Sequence, residues 1–596
     1  MTSKPRTVRT TEAVQDRPAP AIWLLGALVI LLGAILALPQ PSQAANGRAP
    51  IGKAVLSPED AARYKQIFAL QEDGKWQQAD ALIAQLSDRV LMGHVQFQRY
   101  MHPTDYRSKG SELAAWLKAY GDHPGAERIH KLAQRRTSGG VAAPRGNFLT
   151  GIGEGGTGVG WGLESSSSAT AKSVWRKFRR ALNRGQTLVV KRITQSSDAK
   201  RSLSQIDHDR MRGGLAYAYF VDGRDDWAVE WAEKAIAGSG DRVPLAHWAA
   251  GLAQFRAGNY AEAASHFEAV SRSGRSSNWL SSGGAFWAAR AHTRAGSFTK
   301  VSALLQKAAA HPRTFYGMLG LRAAGQFAPF NWQNGDATSA VTRVAGTPAG
   351  KRALALAEIG KYALASEELR GLATVPDAGM KRAVALAAEA RGMPEVALRL
   401  AARDRSMGDP GLYPMPHWAP QGGWRLDQAL VWAFARQESG LDPEAISHAG
   451  ARGLMQLMPK TAVHVAGDRS LAQKSGRDRL FDPTFNLRLG QSYIAELLSM
   501  GHIRGNLLYA VAGYNAGPGR LMDWQSVDRH KNDPLLFVEA MSSRETRNFV
   551  ERVMCNYWIY RDRMGQSTPT LDALVSGSWP IYDLRSGPRV QTSATR

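Results

Sequence analysis

The chain has 596 residues, of which 44% are hydrophobic, and a formal charge of +24. That length exceeds what one hydrophobic core organises and the apolar share is that of a globular protein, so a single small domain and general disorder are both excluded. The charge excess speaks of partners: nucleic acid, an anionic membrane surface and a polyanionic wall polymer all fit it.

The N-terminus narrows these. Lys4, Arg6, Arg9 and Arg17 precede an uncharged apolar run from Ala21 to Leu38, followed by Pro39, Pro41 and Ser42-Gln43-Ala44-Ala45. A basic leader, an apolar core and a small-residue end form a secretory signal over residues 1–44, with cleavage expected after Ala44. The alternative is an uncleaved anchor, because eighteen apolar residues nearly span a bilayer. Either reading exports the remainder, with the periplasm as the expected compartment. That removes nucleic acid as the natural partner and leaves room for transient membrane contact. The one cysteine, Cys555, excludes an intramolecular disulfide and reads as a small core residue on a helix.

Residues 45–138 begin a helical array. Ser57-Pro58-Glu59 opens one helix, Gly74-Lys75-Trp76 breaks it, and Ala79, Leu82, Ile83 and Leu86 mark the next at spacings of three and four. Residues 139–169 depart from this as a Gly/Ser-rich flexible insert. Its Gly151-x-Gly153-x-x-Gly156 matches a dinucleotide fingerprint only formally, because no strand precedes it. The basic run Arg176-Lys177-Phe178-Arg179-Arg180 reads as a solvated helix face. The array resumes over 170–408, with amphipathic segments Trp227 to Ala237, Leu245 to Ala257, Tyr260 to Val270 and Ala285 to Ala295. Small contact residues and Gly or Asn turns predict an α-solenoid of irregular period, similar to tetratricopeptide arrays. Residues 409–423, with Pro410, Pro414, Pro416, Pro420, Gly422 and Gly423, form a linker at a domain boundary. A mainly α-helical domain follows over 424–565, and the Ser- and Pro-bearing tail, 566–596, is expected to be disordered. The fold class is therefore all-α.

The chemistry is sought after the boundary. Leu426, Ala429, Leu430, Ala433 and Phe434 fall on one helical face, Glu438 continues that stripe, and Gly440 ends the helix. Burial and the negative end of the helix dipole both raise the pKa of such a carboxyl, as a general acid requires. The competing reading pairs Glu438 with Arg436 at the rim, and the helix alone favours it. Downstream, Ser447 to Pro459 is a Gly-broken turn carrying Gln456 among apolar neighbours, with Pro459 opening a helix. Asp482-Pro483 caps another helix, Leu507 to Asn515 forms the next, and Ser542-x-x-Glu545 reads as a capping box for the last.

Five ordered blocks emerge: Glu438-Ser439, Gly453-Leu454-Met455-Gln456, Leu480-Phe481-Asp482-Pro483 with Asn486 and Gly490, Tyr514-Asn515-Ala516-Gly517, and Glu545-Thr546-Arg547. Together they resemble the soluble lytic murein transglycosylase family, whose catalytic domain is similar to goose-type lysozyme. The likeness is close over Gln421 to Arg563 and looser over the helical array, which resembles the family's superhelical arm. Two positions depart from the family pattern. Gly513 stands before Tyr514 where Ala is usual, and Met541-Ser542 and Phe549 replace Ile-Pro and Tyr, which removes a ring hydroxyl from the last helix.

The resemblance implies an enzyme that cleaves the β-1,4 MurNAc–GlcNAc bond of peptidoglycan without water, leaving 1,6-anhydro-MurNAc ends, with Glu438 as acid and then base. It implies that Ser447, Gln456, Met458 and Tyr514 meet the glycan, while Ser439 and Asn515 support the site. Met458 reads as core or sugar contact alike, and Asn515 as a helix-end hydrogen bonder. No cofactor is expected, and no metal, since His448 and His464 lack partners at ligand spacing. Two rivals remain: a hydrolase on the same fold, using water in place of the sugar C6 hydroxyl, and a non-enzymatic glycan-docking scaffold.

Overall fold

The computed structural model describes residues 52–137, 139–145, 162–374, 376–527 and 529–583. The expected signal segment and the glycine fingerprint at 151–156 lie outside them. The described residues are helical with no named strand, only three isolated bridges. The all-α expectation holds. No helix among the described residues is long and apolar enough to cross a membrane.

Successive helices pack as antiparallel neighbours: Gln205–Val221 on Asp225–Ser239, then Pro244–Ala257, Tyr260–Arg272 and Asn278–Arg294. The four segments read from periodicity fall on these helices, the last running one residue past Arg294 to the C-cap Ala295. Close approach explains their small residues. A Cβ on Gly251 would lie 2.7 Å from the Phe267 ring, and one on Gly284 would lie 2.8 Å from the Phe267 carbonyl oxygen. In the basic run only Phe178 is buried, its four cationic neighbours standing in solvent.

The first helices fold back onto a later part of the array. Tyr64, Phe68 and Leu91 share a core with Val341, Leu354 and Val384. The Glu358 carboxylate accepts from the Val55 and Leu56 backbone N–H groups at 2.9 and 3.0 Å. His94, His123 and Glu368 meet there, their ligand-type atoms within 4.8 Å of one another. Hydrogen bonds hold part of this cluster, while His94 Nδ1 and His123 Nε2 are buried without a partner among the described residues. Gly125 N–H donates to His123 Nδ1, His94 Nε2 bonds Glu368, and the Arg352 guanidinium holds both Glu368 oxygens.

A larger core runs without interruption from Ala171 through Leu321 into the C-terminal helices. Phe315 stacks on the fully buried Trp558 with ring centroids 5.3 Å apart, a contact worth about 0.5–1.5 kcal/mol beyond its area. The segment expected as a linker is itself packed. Gly408–Leu412 is a short helix, Asp409 to Tyr413 are buried, and Asp409 pairs with Arg313.

The expectation of a disordered tail from 566 is corrected. Pro569–Val575 is helical, Leu571, Leu574 and Tyr582 are buried, and Tyr582 OH accepts the Asp427 N–H at 2.9 Å. Ser and Pro dominate the look of that stretch, but a few apolar side chains suffice to fasten it beneath the Gln428–Ser439 helix. Residues 584–596 lie outside the described set.

Candidate active site

Asp427 caps the helix Gln428–Ser439, its side chain accepting from Ala429 N at 3.0 Å, and every residue from Ala429 to Ala435 is buried. Gly440, with φ 62°, closes the helix in the left-handed region that a side chain resists. Ser439 Oγ turns back to the Ala435 carbonyl at 3.0 Å, which makes it a helix-end support. Arg436 faces away from the catalytic candidate. It donates to Leu412 O and Asn556 Oδ1, with its guanidinium over the Tyr413 ring.

Glu438 is left alone. No hydrogen bond or ion pair to its side chain occurs among the described residues, so the Arg436 pairing weighed from the sequence is not formed. Although the residue reaches the surface, its carboxyl is enclosed by protein, and this burial pushes the pKa up to about 8, with the negative charge of Glu545 adding to the rise. A carboxylic acid that keeps its proton at neutral pH is suited to donate it.

The turn from Ala445 to Met458 is built by interlocking motif residues. Fully buried Asn486 accepts the Met455 N–H at 2.8 Å and donates to Arg452 O and Leu480 O at 3.1 and 2.8 Å. Gly453 sits at φ 75°, and a Cβ there would come 2.1 Å from Leu480 O. A Cβ on Gly490 would meet Met455 Cγ at 2.5 Å. These contacts give the separate sequence blocks one physical reason.

Gln456 has φ 44° and donates from Nε2 to Ala445 O and Gly453 O at 3.0 and 2.9 Å, which leaves its Oε1 without a donor among the described residues. Ser447 Oγ accepts from Ala451 N at 3.0 Å. Met458 is 40% exposed rather than core. Tyr514 OH donates to Met455 O at 2.7 Å, and its ring packs on Phe434 and Tyr493 and lies parallel to Phe549 at 6.4 Å. Burial, then the Glu438 charge, hold the Tyr514 phenol far above its ordinary pKa. Tyr514 therefore shares the Glu438 neighbourhood while spending its proton on the backbone. Asn515 Oδ1 accepts from Thr546 Oγ1 at 2.8 Å, as a helix-end bonder should.

The capping-box expectation needs correction. The N-cap of the last long helix, Arg544–Arg563, is Ser543, whose Oγ accepts from Thr546 N; Ser542 instead accepts from Trp524 Nε1. With the cap moved by one residue, Glu545 is not a capping partner but an exposed carboxylate whose charge reaches Glu438. The sequence showed Glu545 within a motif block and gave it no role at the site. Asn515, Glu545 and Thr546, with Asn183 and Arg184 of the helical array, line a cavity of about 420 Å³. His464 bonds Glu496 at 2.8 Å on the surface, and His448 is exposed.

Comparison with known proteins places this arrangement. Residues 419–537 match the family model of the transglycosylase SLT domain. The domain belongs to that family. Similar relatives are the soluble lytic murein transglycosylases of Salmonella typhimurium, 37% identical over 156 residues, and of Escherichia coli K12, 38% identical over 149 residues. The matches cover 26% and 25% of this chain and span 23% of each relative. Beyond the SLT domain the likeness is one of fold. The crystal structure of the 70 kDa soluble lytic transglycosylase from Escherichia coli aligns with a TM-score of 0.53 at 19% identity, covering 86% of this chain and 98% of that one. The lytic transglycosylase Slt from Pseudomonas aeruginosa gives 0.50 at 19% identity, covering 89% and 88%.

Proposed function

We propose that the chain is an exported, periplasmic lytic transglycosylase that cuts the β-1,4 MurNAc–GlcNAc bond of peptidoglycan. One observation carries the reading: within an SLT domain, the Glu438 carboxyl is enclosed, unpartnered and held protonated to about pH 8.

Glu438 donates its proton to the glycosidic oxygen as the C1–O bond breaks, and the substrate N-acetyl oxygen stabilises the cation at C1. The Glu438 carboxylate then takes the proton of the sugar C6 hydroxyl as that oxygen bonds C1. The enzyme returns to its starting state with a 1,6-anhydro ring formed and no water consumed. Paired-carboxylate glycosidases place a second carboxyl as nucleophile or base. Here the neighbour, Glu545, is exposed and acts on Glu438 through its charge. Gln456 Oε1 and Ser447 receive the saccharide and its N-acetyl group, exposed Met458 lies against a sugar face, and Tyr514 fixes the Met455 turn against the acid. The scheme needs neither metal nor cofactor. The +24 charge concentrates the protein on an anionic wall polymer, an attraction that salt weakens.

The test is mass spectrometry of products from purified sacculi, wild type beside Glu438→Gln. The proposal requires muropeptides lighter by one water than hydrolytic products, absent with the variant. Products of hydrolytic mass would make the enzyme a hydrolase, and undiminished cleavage by the variant would remove Glu438 from the mechanism.

A further inference from the structure

A second cavity, of about 440 Å³, lies where the helical array meets the SLT domain. Arg436 and Gln437 of the catalytic helix line it, but Glu438, Ser447, Gln456 and Tyr514 do not. Its lining includes four arginines, Arg313, Arg405, Arg436 and Arg552, and contains no Asp or Glu. Asp409 pairs with Arg313 from outside that lining, and Glu551 and Arg552 act on each other through their charges, so the surplus of cationic over anionic groups belongs to the lining itself.

The polar atoms point the same way. Asn556 is 4% exposed, its Oδ1 is held by Arg436 Nη1 at 3.0 Å, and its Nδ2 has no acceptor among the described residues. The buried Nε of Arg313 also lacks one. The first residues of the 17-residue helix Asn278–Arg294 and Thr314, the N-cap of Phe315–Ala323, complete the wall, bringing the positive ends of two helix dipoles to it. Unanswered buried donors, clustered guanidinium groups and helix N-termini all ask for acceptor oxygens carrying negative charge.

We infer that this cavity is a binding site for a compact, multiply charged oxyanion bearing carboxylate or phosphate groups, one that clamps the array to the back of the catalytic helix. A ligand bound only by the folded state raises stability in proportion to the logarithm of its concentration, so the clamp is also readable as a thermal shift.

Isothermal titration of the full chain with citrate and, separately, with inorganic pyrophosphate, at ionic strength matched by sodium chloride, tests this. The expected result is saturable one-to-one binding of at least one of them, weakened about tenfold or more in Asn556→Asp and in Arg405→Glu, since each sets a negative charge against the ligand. Saturation by citrate alone identifies carboxylate as the recognised group, and by pyrophosphate alone phosphate; both support the site. Arg405 is exposed, so its variant reads the site even if Asn556→Asp perturbs folding. Absence of saturable binding by either probe, or wild-type affinity in Arg405→Glu, overturns the inference.

Discussion

The Tyr514 hydroxyl donates to the Met455 carbonyl oxygen at 2.7 Å, tying the helix Leu507–Ala516 to the turn that carries Gln456. That bond decides what Glu438 meets. The phenol proton is committed to the backbone, and Glu438 meets burial and negative charge instead of a donor.

Replacing Tyr514 by Phe is expected to cost about 1 kcal/mol of stability for the lost hydrogen bond, and more in activity, because the Met455 turn loses its tether. Denaturant unfolding and initial rates on sacculi check the two effects separately.

Glu438→Gln is expected to lower turnover by about two to four orders of magnitude, the scale of a lost general acid. Its effect on stability depends on pH. The unfolded carboxyl ionises near 4.5, whereas the folded one keeps its proton to about 8, so the wild type loses stability as pH rises between those values. The Gln variant does not, and at pH 9 it should be the more stable by on the order of 2 kcal/mol, after discounting for partial exposure. Thermal melts at pH 5 and 9 measure the difference.

Activity should fall as pH rises through about 8, when Glu438 loses its proton. Glu545→Gln removes the charge that helps hold that proton, so the alkaline limb of kcat/KM should move to lower pH. A limb unmoved by Glu545→Gln would leave burial as the whole cause.

Gly453→Ala is expected to destabilise by a few kcal/mol, because the residue sits at φ 75° and the new Cβ would overlap Leu480 O. Urea denaturation of the full chain reads this directly.

Arg547 lies among buried Glu539 and Glu551, its side chain bonded to Tyr217 OH. Arg547→Leu should cost about 3–5 kcal/mol by stranding buried carboxyls. Burial lifts the Glu551 pKa to about 8, so the loss should deepen as pH rises past that value. Chemical denaturation at pH 6 and 9 gives the comparison.

The helices were legible because they rest on local signals, whereas Glu438 as the acid was an expectation carried by the separated motif blocks, its own helix favouring a pairing with Arg436. Periodicity marked the array, and Gly440 marked the end of the helix that bears Glu438. What depended on distant chain segments was not legible. Tyr582 meets Asp427 across 155 positions of sequence, so the order of the tail is invisible in its own composition. The role of Glu545 was hidden by one residue of cap register, Ser543 in place of Ser542. The bond of Tyr514 to a backbone carbonyl rather than to the acid leaves no mark in residue types, since either acceptor suits a phenol.

The most direct test is an infrared titration of the carboxyl stretch, wild type minus Glu438→Gln, from pH 4 to 10. A Glu438 carboxyl protonated at neutral pH gives a difference band that persists through neutrality and disappears with a midpoint of about 8. A band that disappears near the ordinary 4.5 would show Glu438 ionised at neutral pH and contradict the mechanism.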